Sequence, residues 1–102
     1  MSGGDYEVPV CRLVETRIVV DVDDSVEFQC IASGTPEPQI EWTRADGARL
    51  PSHAVVVNGF LRIQRVRVQD QGEYICTAVN TAGRDDVTGV LVVRDGESSS
   101  SI

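Results

Sequence analysis

The chain has 102 residues, of which nine are Lys or Arg and sixteen are Asp or Glu, so its formal charge is −7 at neutral pH. This length accommodates one domain, and the 41% of hydrophobic residues suffice for one enclosed core. The acidic balance argues against nucleic acid, because affinity for a phosphate backbone depends on clustered Lys and Arg. No apolar run approaches the ~20 residues of a membrane-spanning helix, so membrane insertion is not expected.

The first half of the chain alternates between strand patterns and turns. Within residues 17–32, the apolar residues Val26, Phe28 and Cys30 alternate with polar ones. This period of two predicts a strand with one buried face. Residues 33–38 contain a glycine and two prolines, so we expect a turn there. The alternation resumes at residues 40–43 and predicts another strand.

The second half of the chain carries four further β-rich runs, at residues 54–57, 60–63, 72–80 and 87–93. Asn58-Gly59 joins the first two runs and is the sequence typical of a two-residue hairpin. Residues 81–86 are expected to form the loop between the last two. With a first strand near Cys11, these runs amount to about seven strands. That number, with no amphipathic helical window, predicts an all-β fold, a two-sheet antiparallel sandwich.

The boundaries of the domain follow from the same patterns. We expect the folded domain at residues 8–94 and a linker at residues 1–7, which lack the apolar core of a signal peptide. Residues 95–102 are rich in serine, show no burial pattern and are expected to be disordered. The chain is therefore expected to be a piece of a longer protein.

Two motifs resemble the immunoglobulin superfamily. Cys30 lies twelve residues before Trp42, and the run from Asp70 to Cys76 places Asp, Gly, Tyr and Cys at alternate positions. Further similarity over residues 8–93 is to the I-set subtype, an immunoglobulin-like sandwich.

The resemblance implies roles for five residues in the fold. Cys30 and Cys76 would form the disulfide that joins the two sheets, which implies an oxidising compartment. Trp42, Tyr74 and Leu61 would lie in the core. None of these residues is expected to carry function, because function on sandwiches rarely resides in the core.

The corner before the last cysteine should contain a buried polar contact. The hydroxyl of Tyr74 is expected to point at the backbone near Asp70, where it would satisfy a buried polar group. One of the three clustered arginines, Arg62, Arg65 or Arg67, is expected to pair with Asp70.

Two features stand outside the immunoglobulin pattern. Cys11 is either a free thiol in a half-buried edge strand or half of a bond to another module of the parent chain. The acidic runs at residues 21–24 and 85–86 match no calcium loop, so we interpret them as solvated turn charges, with Asp23 at positive φ, and expect no metal.

No catalytic constellation is present in the sequence. His53 is the only histidine, and the chain contains no nucleophile elbow, phosphate loop or zinc-protease motif. We therefore expect neither an enzyme nor a bound cofactor.

The outer faces of the sandwich are the candidate functional surfaces. Alternation turns side chains outward from one sheet, and the partner-binding residues predicted on that face are Glu41, Thr43, Ile75, Thr77, Val79, Val90 and Val92. We expect this face to be β-branched with little charge. The opposite sheet is expected to be a polar face with Glu27, Gln29, Arg62 and Gln64.

The run from Trp42 to Pro51 and Leu61-Arg62-Ile63 most resembles the tandem modules of perlecan-type basement-membrane heparan sulfate proteoglycans. That family implies a secreted matrix scaffold, here a monomeric module that binds a matrix protein such as nidogen, fibronectin or fibulin. Heparin is not expected as a ligand, given the net charge of −7. A cell-surface adhesion or receptor module and a passive spacer remain the alternatives.

Overall fold

The computed structural model describes residues 6–95, which form eight strands and one short 3₁₀ turn at Val68–Asp70. The strands are β1 Glu7–Leu13, β2 Arg17–Asp21, β3 Val26–Thr35, β4 Gln39–Arg44, β5 Ala54–Val57, β6 Phe60–Ile63, β7 Gly72–Asn80 and β8 Gly83–Arg94. Residues 1–5 of the predicted linker and residues 96–102 of the predicted tail lie outside the described residues.

The strands form two four-stranded sheets, which confirms the predicted sandwich. The first sheet has the order β1-β3-β6-β5 and the second the order β2-β8-β7-β4. One pairing is not antiparallel, because β2 runs parallel to β8 with Arg17 opposite Val90. The chain therefore passes from one sheet to the other between β1 and β2. Each of these two strands is an edge strand of its own sheet.

The predicted strand at residues 17–32 is divided between the two sheets. β2 ends at Asp21, and β3 begins at Val26. Between them, Asp23 adopts the expected positive φ, at 76°, and the Asp24 carboxylate accepts a hydrogen bond from the Asp21 amide at 3.2 Å. The alternation continues through this bend, so it could not reveal that the chain crosses from one sheet to the other.

Two predicted turns are shorter in the structure than in the sequence analysis. Strand β3 continues to Thr35, which lies opposite Glu7 of β1. Strand β8 starts at Gly83, and its residues Asp85 and Asp86 pair with β7. In both places, a neighbouring strand provides pairing partners for residues whose local preference is for turns.

A disulfide and three aromatic rings fill the centre of the sandwich. Cys30 of β3 is bonded to Cys76 of β7, with their Cα atoms 6.5 Å apart. The Phe28 ring lies 5.8 Å from that of Trp42 and 6.4 Å from that of Tyr74. Trp42, Tyr74 and Leu61 are all buried.

The indole of Trp42 also has a polar partner. Its Nε1 donates to the Gly59 carbonyl oxygen at 3.2 Å, so the ring is fixed against the hairpin between β5 and β6. A side chain at Gly59 would meet the Cys30 carbonyl oxygen at 2.7 Å, and the φ of Gly59 is +85°. Only glycine allows the hairpin to approach the disulfide strand this closely.

The corner before β7 contains the expected tyrosine contact. The Tyr74 hydroxyl donates to the Asp70 carbonyl oxygen at 2.5 Å. The guanidinium of Arg44, which the sequence analysis did not single out, lies 5.0 Å from the centre of the Tyr74 ring and donates to the Gln71 carbonyl oxygen at 3.0 Å. Burial is the main cause that raises the pKa of Tyr74.

The expected pairing of Asp70 with an arginine side chain is wrong. The buried Asp70 carboxylate lies 3.1 Å from His53 Nε2 and accepts a hydrogen bond from the Arg67 backbone amide at 2.9 Å. Arg62 is instead held by Glu27 on the neighbouring strand, at 3.1 Å. The 3₁₀ turn brings the Asp70 carboxylate next to the amide of Arg67, the residue that precedes the turn. The other contact of this carboxylate is with His53 in the loop before β5.

Cys11 is a free thiol enclosed within the sandwich. Its exposed fraction is 7%, its backbone amide donates to the Asp85 carboxylate at 2.9 Å, and its Sγ lies 3.8 Å from the Cys76 carbonyl oxygen. Burial, followed by the negative charge of Asp85, raises its pKa to about 11. Of the two interpretations left open, this geometry favours the free thiol, because a bond to another module requires an accessible sulfur.

Gly89 of β8 is packed so tightly that a methyl group will destabilise the fold. A Cβ there would lie 2.8 Å from Leu13 Cδ1 and 2.9 Å from Phe28 Cε1. Overpacking of this kind costs about 1–3 kcal/mol, and we expect Gly89→Ala to lose that much in urea unfolding. The neighbouring exposed variant Thr88→Ala should stay within about 0.5 kcal/mol of wild type. Equal stabilities for the two variants would contradict this packing.

Cys11 should resist alkylation in the folded protein. A rise in pKa from 9.0 to about 11 lowers the thiolate fraction at pH 8 roughly a hundredfold, before the loss of access is counted. Because the folded pKa is the higher one, the neutral thiol stabilises the fold at neutral pH, and this contribution is lost as the pH rises from 9.0 to about 11. Mass spectrometry after iodoacetamide treatment measures the reaction, with the urea-unfolded protein as control, and equal rates would contradict the enclosed thiol.

Candidate protein-binding face

The outward side of the second sheet, hereafter the outer face, is positioned by strand β7. Tyr74, Cys76 and Ala78 point into the core and are buried. The intervening side chains of Ile75 and Thr77 therefore point outward and are half-buried by their in-sheet neighbours. Since β7 pairs with β4 on one side and β8 on the other, it forms the centre of this face.

The centre of the outer face consists of two cross-strand rows. Ile75 lies between Thr43 of β4 and Thr88 of β8. Thr77 lies in the next row, between Glu41 and Asp86. The middle of the face is thus a β-branched apolar residue surrounded by threonines, with a carboxylate on either side of the adjacent threonine.

The remaining predicted residues lie toward the two ends of the face. Val79, with an exposed fraction of 46%, is opposite Gln39 and Arg84. Val90 lies between Arg17 and Glu73, and Val92 lies beside Val19. All seven residues predicted for partner binding therefore share one face, although charged side chains separate the apolar ones.

The expectation of little charge on this face is wrong. Besides Glu41, the face carries Arg17, Glu73, Arg84 and Asp86. Two of them, Arg84 and Asp86, lie in the segment predicted as a loop, which strand β8 brings onto the sheet instead. Arg17 arrives through the parallel pairing of β2, which the alternation pattern did not indicate.

The chemistry of the outer face is suited to contact with the surface of another protein. It offers apolar β-branched groups, threonine hydroxyls that donate or accept hydrogen bonds, and carboxylates close to the centre. Within residues 6–95, no group of three or more His, Cys, Asp or Glu side chains is placed to hold a metal ion. No helix in that range is long and apolar enough to cross a membrane.

The opposite sheet is more apolar than expected. Val55 and Val57 are 52% and 54% exposed on its outward side, where Val57 lies opposite the half-buried Phe60. Ile31 and Val10 are also exposed on this sheet, and Val14 is exposed directly after the end of β1. The hairpin pattern contained this information, because residues that pair across a two-residue turn point to the same side.

Several curated proteins are similar to the chain. The mouse basement membrane-specific heparan sulfate proteoglycan core protein is 33% identical over 91% of the chain, which spans 2% of that relative. The mouse peroxidasin homolog is 41% identical over 78% of the chain, and human hemicentin-1 is 43% identical over 88%. The chain spans 6% and 2% of these two relatives, so it corresponds to a small part of each.

Solved structures and a family model agree with the architecture. The ectodomain of mouse nectin-like molecule 4 superposes with a TM-score of 0.79 at 30% identity, covering 93% of this chain and 36% of that one. The titin M3 domain superposes with a TM-score of 0.75 at 26% identity, covering 86% of this chain and 98% of that one. Residues 9–93 match the immunoglobulin I-set domain model. The chain therefore belongs to the I-set immunoglobulin domain family, whose members are typically non-catalytic modules.

Proposed function

We propose that this domain is a protein-binding module of a secreted extracellular-matrix protein, and that it binds a matrix protein such as nidogen through the outer face. The observation that carries the proposal is the clustering of Glu41, Thr43, Ile75 and Thr77 at the centre of that face. Similarity to the basement-membrane proteoglycan core protein, peroxidasin and hemicentin supports an extracellular setting. The buried disulfide is consistent with that setting, because such bonds persist in oxidising compartments.

The charges of the outer face indicate what kind of partner fits. Glu41 and Asp86 lie on either side of Thr77, so a partner surface should present Lys or Arg there and apolar groups opposite Ile75. The same carboxylates disfavour a sulfated polysaccharide on this face, because they would repel its sulfates. A protein partner is therefore favoured over heparin.

One alternative has support from a specific observation. The ectodomain of nectin-like molecule 4 is similar in structure and is also 30% identical in sequence, which favours a cell-surface adhesion module. In that case the partner would be another immunoglobulin domain, and the isolated module would associate with itself or with a related domain. The matrix module of the main proposal is expected to be monomeric.

Charge introduced on the outer face, at its centre at Ile75 and toward one end at Val90, should weaken binding. We expect the double variant Ile75→Asp/Val90→Asp to bind purified nidogen at least about tenfold more weakly, since interface centres contribute more than 1 kcal/mol per anchor. Surface plasmon resonance on the immobilised module measures the change, and capture from basement-membrane extract extends it to other matrix proteins.

The matched control is Val10→Asp, an exposed valine on the other sheet whose side chain is 58% accessible. Thermal unfolding should first show that all variants are folded. Binding that survives the double substitution, or that Val10→Asp removes equally, would refute the outer face. If the wild-type module retains no matrix protein, that result would favour a passive spacer. Self-association of the module would favour an adhesion module.

A further inference from the structure

We propose that the open edge of strand β5 binds an extended, acidic peptide segment of a partner protein, which adds a fifth strand to the first sheet. The peptide would pair with the backbone of β5, place alternate side chains in a groove beside Val55, Val57 and Phe60, and direct its carboxylates toward Arg65 and Arg67. This surface lies on the other sheet from the outer face, so its test is independent of the proposed function.

Strand β5 lacks the features that protect the other sheet edges. Exposed edges in soluble proteins commonly carry charges, prolines or bulges that prevent pairing. Strand β1 has Pro9 and a register shift after Glu7, while β2 and β4 begin or end with a charged residue. Strand β5 reads Ala-Val-Val-Val, and Val56 at its centre is 41% exposed. Among the described edge strands, β5 alone carries no charge, proline or bulge, and its only protection is its length of four residues.

The hairpin determines which backbone groups of β5 are available. Asn58 and Gly59 have φ values of 52° and 85°, as in a type I′ turn, and Val57 pairs with Phe60 across it. In an antiparallel ladder, hydrogen-bonded and non-hydrogen-bonded pairs alternate. Val56 is therefore the non-bonded partner of Leu61, and its N–H and C=O point away from β6 toward the open edge.

A groove of about 380 Å³ runs along the outward side of β5. Its walls include Val55, Val57 and Phe60, and the Arg62–Glu27 ion pair lines it as well. Because alternate residues of an added strand point to the same side of the sheet, every second side chain of the peptide would contact this groove. Apolar side chains are favoured there, since the groove's own charges already neutralise each other.

The charges around β5 select an acidic occupant. Residues 47–69 contain four of the nine arginines and none of the sixteen Asp and Glu residues. Arg65 and Arg67 have no ion pair to a carboxylate within residues 6–95, and they line a cleft of about 450 Å³ with Ser52 and His53, which directly precede β5.

The carboxylates near β5 do not neutralise that cleft. Asp70 is the one carboxylate among the described residues that line the cleft, it is buried beneath His53 and the Arg67 amide, and two guanidinium groups outnumber it. Glu27 is paired with Arg62. Glu37 lies in a separate groove with Val56 and Asn58. A second copy of the chain would bring two arginine-rich segments together, so charge complementarity favours an acidic peptide over self-pairing.

The test is fluorescence polarisation with a synthetic ten-residue peptide that alternates Thr and Val and carries three Glu residues at one end. We expect saturable binding by the wild-type chain, with amide shifts in NMR confined to β5, β6 and the adjoining cleft. Val56→Pro removes an outward N–H without touching the β6 ladder, and we expect it to weaken binding roughly tenfold. A peptide N-methylated at the amides that face β5 tests the same backbone pairing without altering the protein.

A matched pair of charge variants tests the acidic preference. Arg65→Glu/Arg67→Glu should weaken binding at least about tenfold and reduce its salt dependence. Arg12→Glu/Arg84→Glu makes the same change in net charge elsewhere and should bind as wild type does. The absence of binding at ~1 mM peptide would overturn the proposal, and so would undiminished binding of the N-methylated peptide. Equal losses of affinity in the two charge variants, or dimerisation of the chain through β5 without peptide, would also overturn it.

Discussion

The period-two alternation of strand β7 is the constraint on which both the core and the outer face depend. Tyr74 and Cys76 point inward, so Ile75 and Thr77 must point outward, and a slip of one residue would exchange the two sets. The register is fixed by the disulfide from Cys76 to Cys30, 46 positions apart, whose closure contributes about 4 kcal/mol in the chain-entropy model. The tyrosine corner at Asp70 fixes the same register from the start of the strand.

Sequence patterns predicted the fold well wherever a strand has one buried face. The Asn58-Gly59 hairpin and the alternation of β7 required only local information, and the structure contains both elements. Patterns failed where a distant strand overrides local preference. The acidic and glycine-containing segment from Gly83 to Asp86 has turn propensities, yet it continues β8 because β7 is long enough to pair with it.

The candidate surfaces were predictable to different degrees for the same reason. All seven side chains predicted on the outer face share one side of the sheet, because their orientation follows from alternation alone. The charges among them were not predicted, since Arg17 reaches the face through a parallel pairing that no local pattern encodes. The valines of β5 were assigned to a strand but not to an open edge, because strand order is a property of the whole fold.

The most direct test of the central claim, that the outer face is the binding surface, is site-specific photo-crosslinking with purified nidogen. A benzophenone side chain placed at Thr77, in the middle of the face, should crosslink nidogen, while the same group at Arg12 on the other sheet should not. Crosslinking from Arg12 alone, or from both positions equally, would contradict the account, because the partner would then contact a surface other than the one that β7 positions.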